Sequence, residues 1–203
     1  VGSISIGESI GYSAVSSLKE IGAGVLISAG YGYRIPDSVL SEIICINIHP
    51  TMLPLGKGPW PLPRMVVERR EVFGVTIHKM GSEFDSGDVL LQRGSLLSDN
   101  ESLESVTFKA KDIARELALE LAHNFDQLLV KAVPQYGSAE YWPMPNWERD
   151  RMIDWNMPVS FIYDRVRSYG KFATGAVFEG KELIVTDCRV CKKVHDFPLG
   201  SVV

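Results

Sequence analysis

Residues 43–50 have the sequence Ile43-Ile44-Cys45-Ile46-Asn47-Ile48-His49-Pro50, in which an apolar run turns polar just before a proline. Such a run is typical of a β-strand that is buried on both faces, as in parallel sheets. Side chains two residues apart on a strand point the same way, so Asn47 and His49 project together while Ile46 and Ile48 face the opposite side. Pro50 cannot donate to a strand ladder, so we expect the strand to end there.

A helix, a strand and a helical turn are predicted before this segment. The pattern indicates a helix over residues 13–21, a buried strand over residues 25–28 and a turn of helix over residues 36–40 that starts at Pro36. A helix that feeds a buried strand is half of a βαβ unit, so we expect an α/β fold with a parallel sheet. Open α/β sheets bind ligands at the carboxyl ends of their strands, where Tyr31 and His49 fall.

A second junction from apolar to polar residues runs Val75-Thr76-Ile77-His78 and then Phe84-Asp85-Ser86-Gly87-Asp88. Asn47, His49 and Asp85 together provide an amide that donates hydrogen bonds, an imidazole that takes a proton and a carboxylate that orients the imidazole. These groups suit acyl transfer, and we expect Asp85 to raise the pKa of His49. The set contains no nucleophile of its own, which favours direct attack by an amine or water on a cofactor-borne acyl group.

Four segments, in this order and spacing, resemble the formyltransferases that use 10-formyltetrahydrofolate, a family that includes methionyl-tRNA, glycinamide ribonucleotide and amino-sugar formyltransferases. They are Tyr31-Gly32-Tyr33-Arg34-Ile35-Pro36, Asn47-Ile48-His49-Pro50-Thr51-Met52-Leu53-Pro54, Gly74-Val75-Thr76-Ile77-His78 and Asp85-Ser86-Gly87-Asp88. The resemblance implies a Rossmann-like formyltransferase domain with a parallel sheet, 10-formyltetrahydrofolate as co-substrate, and catalytic roles for Asn47, His49 and Asp85. It also implies a structural role for Asp88 and folate contacts for Tyr31, Gly32, Ile35, Phe84 and Ser86.

Residues 134–147 are rich in proline and aromatic residues, and they are predicted to form a linker. Beyond them come Ile153-Asp154-Trp155, a predicted helix over residues 159–169, and predicted strands over residues 175–178 and 183–190, joined by a Glu179-Gly180 turn. This order resembles the small open β-barrel, OB-like in type, of methionyl-tRNA and some sugar formyltransferases. We therefore expect a catalytic domain over residues 1–140 and an accessory domain over residues 141–203. Family members begin with earlier strand–helix units and close their barrel later, so both domains are expected to be incomplete.

Two further segments have clear patterns. Residues 53–64 are rich in Pro and Gly and predict an irregular loop that forms a lid or an acceptor wall beside the catalytic residues. Ser98-Asp99-Asn100-Glu101 predicts a capping box for a long amphipathic helix. The apolar stripe of that helix is expected to pack in the core, and it consists of Leu103, Val106, Ala110, Ile113, Leu117, Leu121 and Leu128.

Composition limits the class of protein. The net charge is −4, so the chain as a whole is not a cationic surface for nucleic acid. Three cysteines are too few for a disulfide framework, and no apolar stretch is long enough for a membrane span, so we expect a cytoplasmic location with no membrane contact. No metal site is predicted, because Asp85 and Asp88 lack further ligands, and Cys188 and Cys191 are expected to be ordinary residues of a barrel strand.

The acceptor amine is the most open part of the prediction. Charged initiator methionyl-tRNA is the first candidate, because the carboxyl-terminal region resembles that of the tRNA enzymes. Residues 141–203, however, carry nine Lys and Arg against eight Asp and Glu, and the loop Gly56-Lys57-Gly58-Pro59-Trp60-Pro61 lacks the arginine usual in those enzymes. A nucleotide-linked amino sugar is therefore the alternative acceptor. Hydrolysis of 10-formyltetrahydrofolate and a non-catalytic folate-binding module are the other hypotheses, and the oligomeric state is left open.

Overall fold

The computed structural model describes residues 12–172, 174–191, 193, 196–199 and 201. Its secondary structure supports the α/β class, with helices and strands alternating before one long helix. The helices are α1 (Tyr12–Glu20), α2 (Asp37–Leu40), α3 (Leu62–Val67), α4 (Leu103–Val130), α5 (Trp147–Asp150) and α6 (Val159–Tyr169), followed by a 3₁₀ turn (Gly170–Phe172). The strands are β1 (Val25–Ala29), β2 (Ile44–His49), β3 (Val72–Lys79), β4 (Val89–Leu96), β5 (Thr174–Phe178) and β6 (Lys181–Val185).

The main sheet is mixed, which corrects the prediction of a parallel sheet. Its order is β1-β2-β3-β4, and among these strands only β1 and β2 run parallel. Strand β3 pairs antiparallel with both β2 and β4. The segment between Lys79 and Val89 has no helix to carry the chain across the sheet, so β4 must return antiparallel to β3.

Helices cover the sheet unevenly. Helix α4 packs on one face against β3 and β4, while α2 and residues of α1 contribute to a smaller apolar cluster around Val39 and Cys45 on the other face. Strand β1 was expected to be covered on both faces, but it is an edge strand of the described sheet and its Ile27 is 54% exposed. The apolar run of β1 therefore indicated that a strand forms there, but not that it lies at an edge of the described sheet.

Strand β3 separates the core from the polar side of the sheet. Phe73, Val75 and Ile77 face α4 and are fully buried in the main core. The alternate residues Thr76 and His78 are also buried, on the other face. The Thr76 hydroxyl donates to the Thr51 carbonyl at 2.6 Å and accepts from the Leu53 amide at 3.1 Å, so it fixes the chain just after β2.

Helix α4 begins at a different cap from the one predicted. Ser102 is the N-cap residue, and its side chain and that of Ser105 bond reciprocally to each other's backbone amides. Glu101 instead accepts hydrogen bonds from Ser98 and Ser105. Both segments contain a serine with a polar partner three residues later, so the pattern alone did not distinguish them. Five positions of the predicted stripe are buried, namely Leu103, Val106, Ala110, Leu117 and Leu121.

The segment predicted as a linker folds back onto the catalytic region. Val133 and Val89 exchange two backbone hydrogen bonds, of 2.7 and 3.0 Å. Farther on, Trp142 is only 2% exposed and belongs to the main core, and its amide donates to the Lys57 carbonyl at 2.6 Å. This segment is rich in proline and aromatic residues because it follows an extended path over the protein and packs aromatic rings against it.

The carboxyl-terminal region contributes α6 and the β5–β6 hairpin, whose turn residues Glu179 and Gly180 both have positive φ as expected. Strand β6 ends at Val185, so Cys188 and Cys191 lie beyond it rather than on a strand, which corrects the prediction. Helix α6 packs on α3. Its Asp164 is 6% exposed and is held between Arg69, at 2.7 Å, and Arg167, at 2.8 Å.

Candidate active site

A cavity of about 590 Å³ lies at the ends of β1 and β2, where the sequence predicted a ligand site. This volume is within the usual range for small-molecule sites. Its lining comes from the segments that follow β1, β2 and β3 and from the segment after α4. Lining residues include Tyr31, Gly32, Ile35, Asn47, His49, Gly58, Trp60, His78, Met80, Phe84, Asp85, Tyr141 and Met144.

Asp85 is the centre of a compact polar group in this cavity. Its Oδ1 atom is 3.3 Å from Nδ2 of Asn47, 3.4 Å from Nδ1 of His49 and 3.6 Å from Nε2 of His78. Its Oδ2 atom accepts a hydrogen bond from the Gly58 amide at 2.9 Å. The three residues predicted to be catalytic are therefore brought together, although Asn47 and His49 come from strand β2 and Asp85 comes from the loop after β3.

The donors of this group have defined partners. The side-chain amide of Asn47 is shared between Asp85 and Nε2 of His78, which is 3.4 Å away. Nε2 of His49 is 2.9 Å from the Gly56 carbonyl, a distance at which its proton is donated to that oxygen. Both contacts of Asn47 are long, so its amide can transfer them to a stronger acceptor in the cavity.

The environment shifts the pKa of both members of the His49–Asp85 pair. Burial lowers the pKa of His49, and it outweighs the charge of Asp85, which acts in the opposite direction. The expected net rise is therefore wrong, because His49 is only 4% exposed. Burial alone would raise the pKa of Asp85, but the neighbouring His78 ring, the charge that His49 carries when protonated and the Gly58 amide together hold it below its usual value.

His78 is a member of the site that the sequence interpretation left aside as a neighbouring strand residue. It is the direct cross-strand partner of Asn47 and is 1% exposed. Its Nδ1 atom is 2.7 Å from the Lys79 carbonyl, which orients the ring so that Nε2 faces Asn47 and Asp85. The side of the sheet on which His78 lies could have been identified from the sequence, because Thr76 and His78 alternate with apolar residues. This alternation puts both on the face of the sheet that carries Asn47 and His49.

Four of the five residues expected to contact folate line the cavity. These are Tyr31, Gly32, Ile35 and Phe84, and Phe84 is 58% exposed. Ser86 is not among the lining residues, and its hydroxyl donates to the Glu83 carbonyl at 2.9 Å. Ser86 thus stabilises the turn of the loop in this structure.

Residues 58–61 of the predicted loop line another wall of the cavity, and that this wall holds the acceptor stays a prediction. Gly58 has a φ of +123°, and a Cβ atom there would lie 2.0 Å from the Trp142 carbonyl oxygen. Only glycine therefore allows its amide to reach Asp85. Trp60 lines the cavity and packs on Trp147, with ring centroids 4.3 Å apart.

This arrangement is suited to transferring an acyl group without a covalent intermediate. Both ring nitrogens of His49 face Gly56 and Asp85, so within the described part of the chain His49 activates no serine or cysteine. A carboxylate beside a buried neutral imidazole can take up a proton from an attacking group, and the Asn47 amide can stabilise an oxyanion. Among the described residues, no three His, Cys, Asp or Glu are grouped as metal ligands.

Comparison with known proteins identifies the family of this chain. The family model described as "Formyl transferase" matches residues 10–121, which is more than half of the chain. The chain belongs to the formyl transferase family. It is 28% identical, over 179 residues, to the methionyl-tRNA formyltransferase of Caldicellulosiruptor saccharolyticus; the match covers 86% of this chain and 57% of that protein. The chain therefore spans little more than half the length of such relatives.

Several solved structures share the fold of this chain. HypX from Aquifex aeolicus, in complex with tetrahydrofolic acid, has a TM-score of 0.76 at 22% identity, with 85% of this chain and 30% of that chain covered. A sugar N-formyltransferase from a Shewanella species has a TM-score of 0.74 at 17% identity, with 89% and 76% covered. None of the described helices has the length and apolar character required to cross a membrane.

Proposed function

We propose that this protein transfers the formyl group of 10-formyltetrahydrofolate to a primary amine, and that methionyl-tRNA is the first candidate acceptor. The observation that carries the proposal is that Asn47 and His49 both lie within 3.4 Å of one carboxylate oxygen of Asp85, in a cavity large enough for a small-molecule ligand. Membership of the formyl transferase family supports the reaction class. Tyr31, Gly32, Ile35 and Phe84 are assigned to the folate.

The reaction begins when the neutral amine attacks the formyl carbon, which forms a C–N bond and places negative charge on the formyl oxygen. Asn47 donates a hydrogen bond to this oxyanion. The His49–Asp85 pair takes up the proton released by the amine, and a neutral His49 is favoured before this step because burial lowers its pKa. The proton is then delivered to N10 of the folate as the bond from N10 to the formyl carbon breaks. The products are a formamide and tetrahydrofolate.

The accessory domain is the reason for placing methionyl-tRNA first. We propose that residues 141–203 belong to an open β-barrel domain, and α6 with the β5–β6 hairpin supports this assignment. The relatives named methionyl-tRNA formyltransferase also support it.

An amino sugar is the second candidate acceptor, and the wall of residues 58–61 favours it. Its Trp60 and the nearby Tyr141 and Met144 are uncharged, whereas the cations of α3 and the following turn are already paired: Arg64 and Arg70 bind Glu68 and Glu140. This pairing leaves Arg64 and Arg70 less available to the phosphates of a polyanionic tRNA. We assign the Trp60 wall to the acceptor in either case.

The acceptor is tested by measuring tetrahydrofolate release from 10-formyltetrahydrofolate. The purified protein is supplied with no acceptor, with charged initiator tRNA, or with a panel of nucleotide-linked amino sugars. Release that requires charged tRNA supports methionyl-tRNA as the acceptor. Release that requires a nucleotide-linked amino sugar would instead make that sugar the acceptor. Release with water alone would identify a hydrolase, and no release with any of them would contradict formyl transfer.

The catalytic roles are tested by substitution. We expect Asn47→Ala to lower kcat by about 10²–10³-fold through loss of an oxyanion donor. His49→Ala and Asp85→Ala should each lower it by about 10²–10⁴-fold through loss of proton transfer. Asn124→Ala, in the exposed part of α4, is the control and should match the parent protein. Three site variants with parental turnover would show that the assignment is wrong.

A further inference from the structure

We propose that Gln135 is a positioning residue that holds Asp85 in its active conformation by binding the backbone of the loop around it. The side-chain amide Nε2 of Gln135 donates to the carbonyl of Asp85 and to the carbonyl of Gly87, each at 2.9 Å. Gln135 does not line the cavity, so it acts on the reaction only through Asp85. The inference rests on the proposed function, in which Asp85 takes part in proton transfer.

Asp85 needs such support because of its backbone. Its φ is +49°, in the left-handed region, which Asp adopts more readily than most residues but which still disfavours any residue with a Cβ atom. The direction of the Cα–Cβ bond depends on this φ value. If the loop relaxed to a negative φ, the carboxylate would turn away from Asn47, His49 and the Gly58 amide.

Backbone pairing of the surrounding chain positions Gln135 beside this loop. Val133 and Val89 form an antiparallel bridge, and continuing its register by two residues places Gln135 opposite Gly87. The other side of the loop is fixed to β3, where the Lys79 amide donates to the Asp88 carbonyl at 2.9 Å. A Cβ atom on Gly87 would lie 1.9 Å from the Lys79 carbonyl oxygen, so the loop packs closely on that side. Gln135 completes the restraint on the opposite side.

The unused atom of Gln135 supports a specific role for the amide. Its Oε1 is buried and has no hydrogen-bond partner among the described residues. An unpaired buried oxygen destabilises the fold, so an apolar side chain would be the better choice if packing were the only requirement. The amide cannot be reversed either, because Oε1 would then face two carbonyl oxygens. The role of Gln135 therefore depends on the N–H donor of its side-chain amide.

Gln135→Met tests the role, because methionine keeps the length and approximate volume but has no donor. We expect kcat to fall about 10²-fold, since small misplacements of a catalytic group have effects of this size. The KM for 10-formyltetrahydrofolate should not change, because the residues assigned to folate are untouched. Gln127→Met, the same substitution at an exposed site on α4, is the control. Parental kcat in Gln135→Met would overturn the proposal, as would an equal loss in the control.

Gln135→Glu gives a pH signature that a merely structural role would not produce, and it carries the test if Gln135→Met does not fold. Ionised glutamate repels both carbonyls, whereas the protonated acid can donate to one of them. The ratio of variant to parent kcat should therefore rise as the pH is lowered through the pKa of the new carboxyl group. A ratio that stays constant with pH would contradict the proposal.

A third measurement does not depend on turnover. The ring C–H resonances of His49 and His78 report the position of the Asp85 carboxylate, which lies within 3.6 Å of both rings. They should shift in Gln135→Met and stay unchanged in Gln127→Met. Shifted resonances in a protein that transfers no formyl group would leave the positioning role intact and refute the proposed function. Unchanged resonances would refute the positioning role itself.

Discussion

At the scale of single residues, the site depends on one carboxylate with several partners. Asp85 contacts an amide, two imidazoles and a backbone N–H. The sequence predicted Asn47, His49 and Asp85, because strand parity and the family pattern agreed on them. It could not predict His78 or Gln135 as partners, because their roles depend on pairing between strands and on the fold of a distant segment.

The pH dependence of the reaction follows from the burial of His49. Because burial lowers the pKa of His49 below 6.5, the imidazole is neutral at pH 7, and protonation removes the form that accepts the proton. We expect kcat/KM to fall on the acid side with an apparent pKa below 6.5. In Asp85→Asn the charge that favours imidazolium is lost, so the acid limb of the residual activity should move to lower pH. An apparent pKa above 6.5 in the parent protein would contradict this account.

At the scale of secondary structure, hydrophobic periodicity predicted the positions of α4, α6 and β2 well. The expectation of a parallel sheet was wrong at β3, which pairs antiparallel, because apolar content indicates a strand without indicating its neighbour. The capping residue of α4 was wrong because several short hydrogen-bonding patterns overlap between residues 98 and 105. Local signals therefore identified the elements but not their pairing.

Glu101 makes the start of α4 sensitive to acid. Burial alone would raise the pKa of Glu101, but hydrogen bonds from Lys109, Ser105 and Ser98 lower it to about 2. The stability that this carboxylate contributes is present above pH 4.5 and is lost as the pH falls towards 2. Glu101→Gln should therefore unfold at lower urea concentration than the parent protein at pH 7, and the difference should shrink over that pH window. A constant difference would show that the charge is not involved.

At the scale of the whole molecule, the carboxyl-terminal region is built into the catalytic region. Trp142 belongs to the main core, and the guanidinium groups of Arg64 and Arg70 each lie 5.4 Å from the centroid of its ring. Tyr141 and Met144 line the cavity. Composition alone indicated a linker, because the partners of these aromatic residues are far away in the sequence.

We expect Asp164 to stabilise the contact between the carboxyl-terminal region and the catalytic region. It is buried between Arg69, which follows α3, and Arg167 of its own helix. Asp164→Ala removes the partner of a buried arginine and should lower the free energy of unfolding by about 3 kcal/mol. Asp126→Ala, at an exposed position on α4, is the control for urea unfolding. Equal stability of the two variants would show that the ion pairs contribute little.

Trp147 should affect the acceptor from outside the cavity, because it packs on Trp60. Aromatic pairs contribute about 0.5–1.5 kcal/mol beyond their buried area, so Trp147→Ala should raise the acceptor KM by about two- to tenfold. The KM for 10-formyltetrahydrofolate should stay the same. Trp155→Ala removes an indole outside the cluster formed by Trp60, Trp147, Tyr169 and Phe172 and serves as the control. A change in the folate KM alone would refute the acceptor assignment of Trp60.

The register between β2 and β3 links folding fidelity to chemistry. A slip of β3 by one residue would turn Thr76 and His78 into the apolar core and carry Val75 and Ile77 into the cavity. Such a chain would lose its core packing together with its active site, so a stably folded but misaligned form is strongly disfavoured. Misaligned chains would thereby be removed as unfolded protein, because the register that assembles the active site is also the register that packs the core.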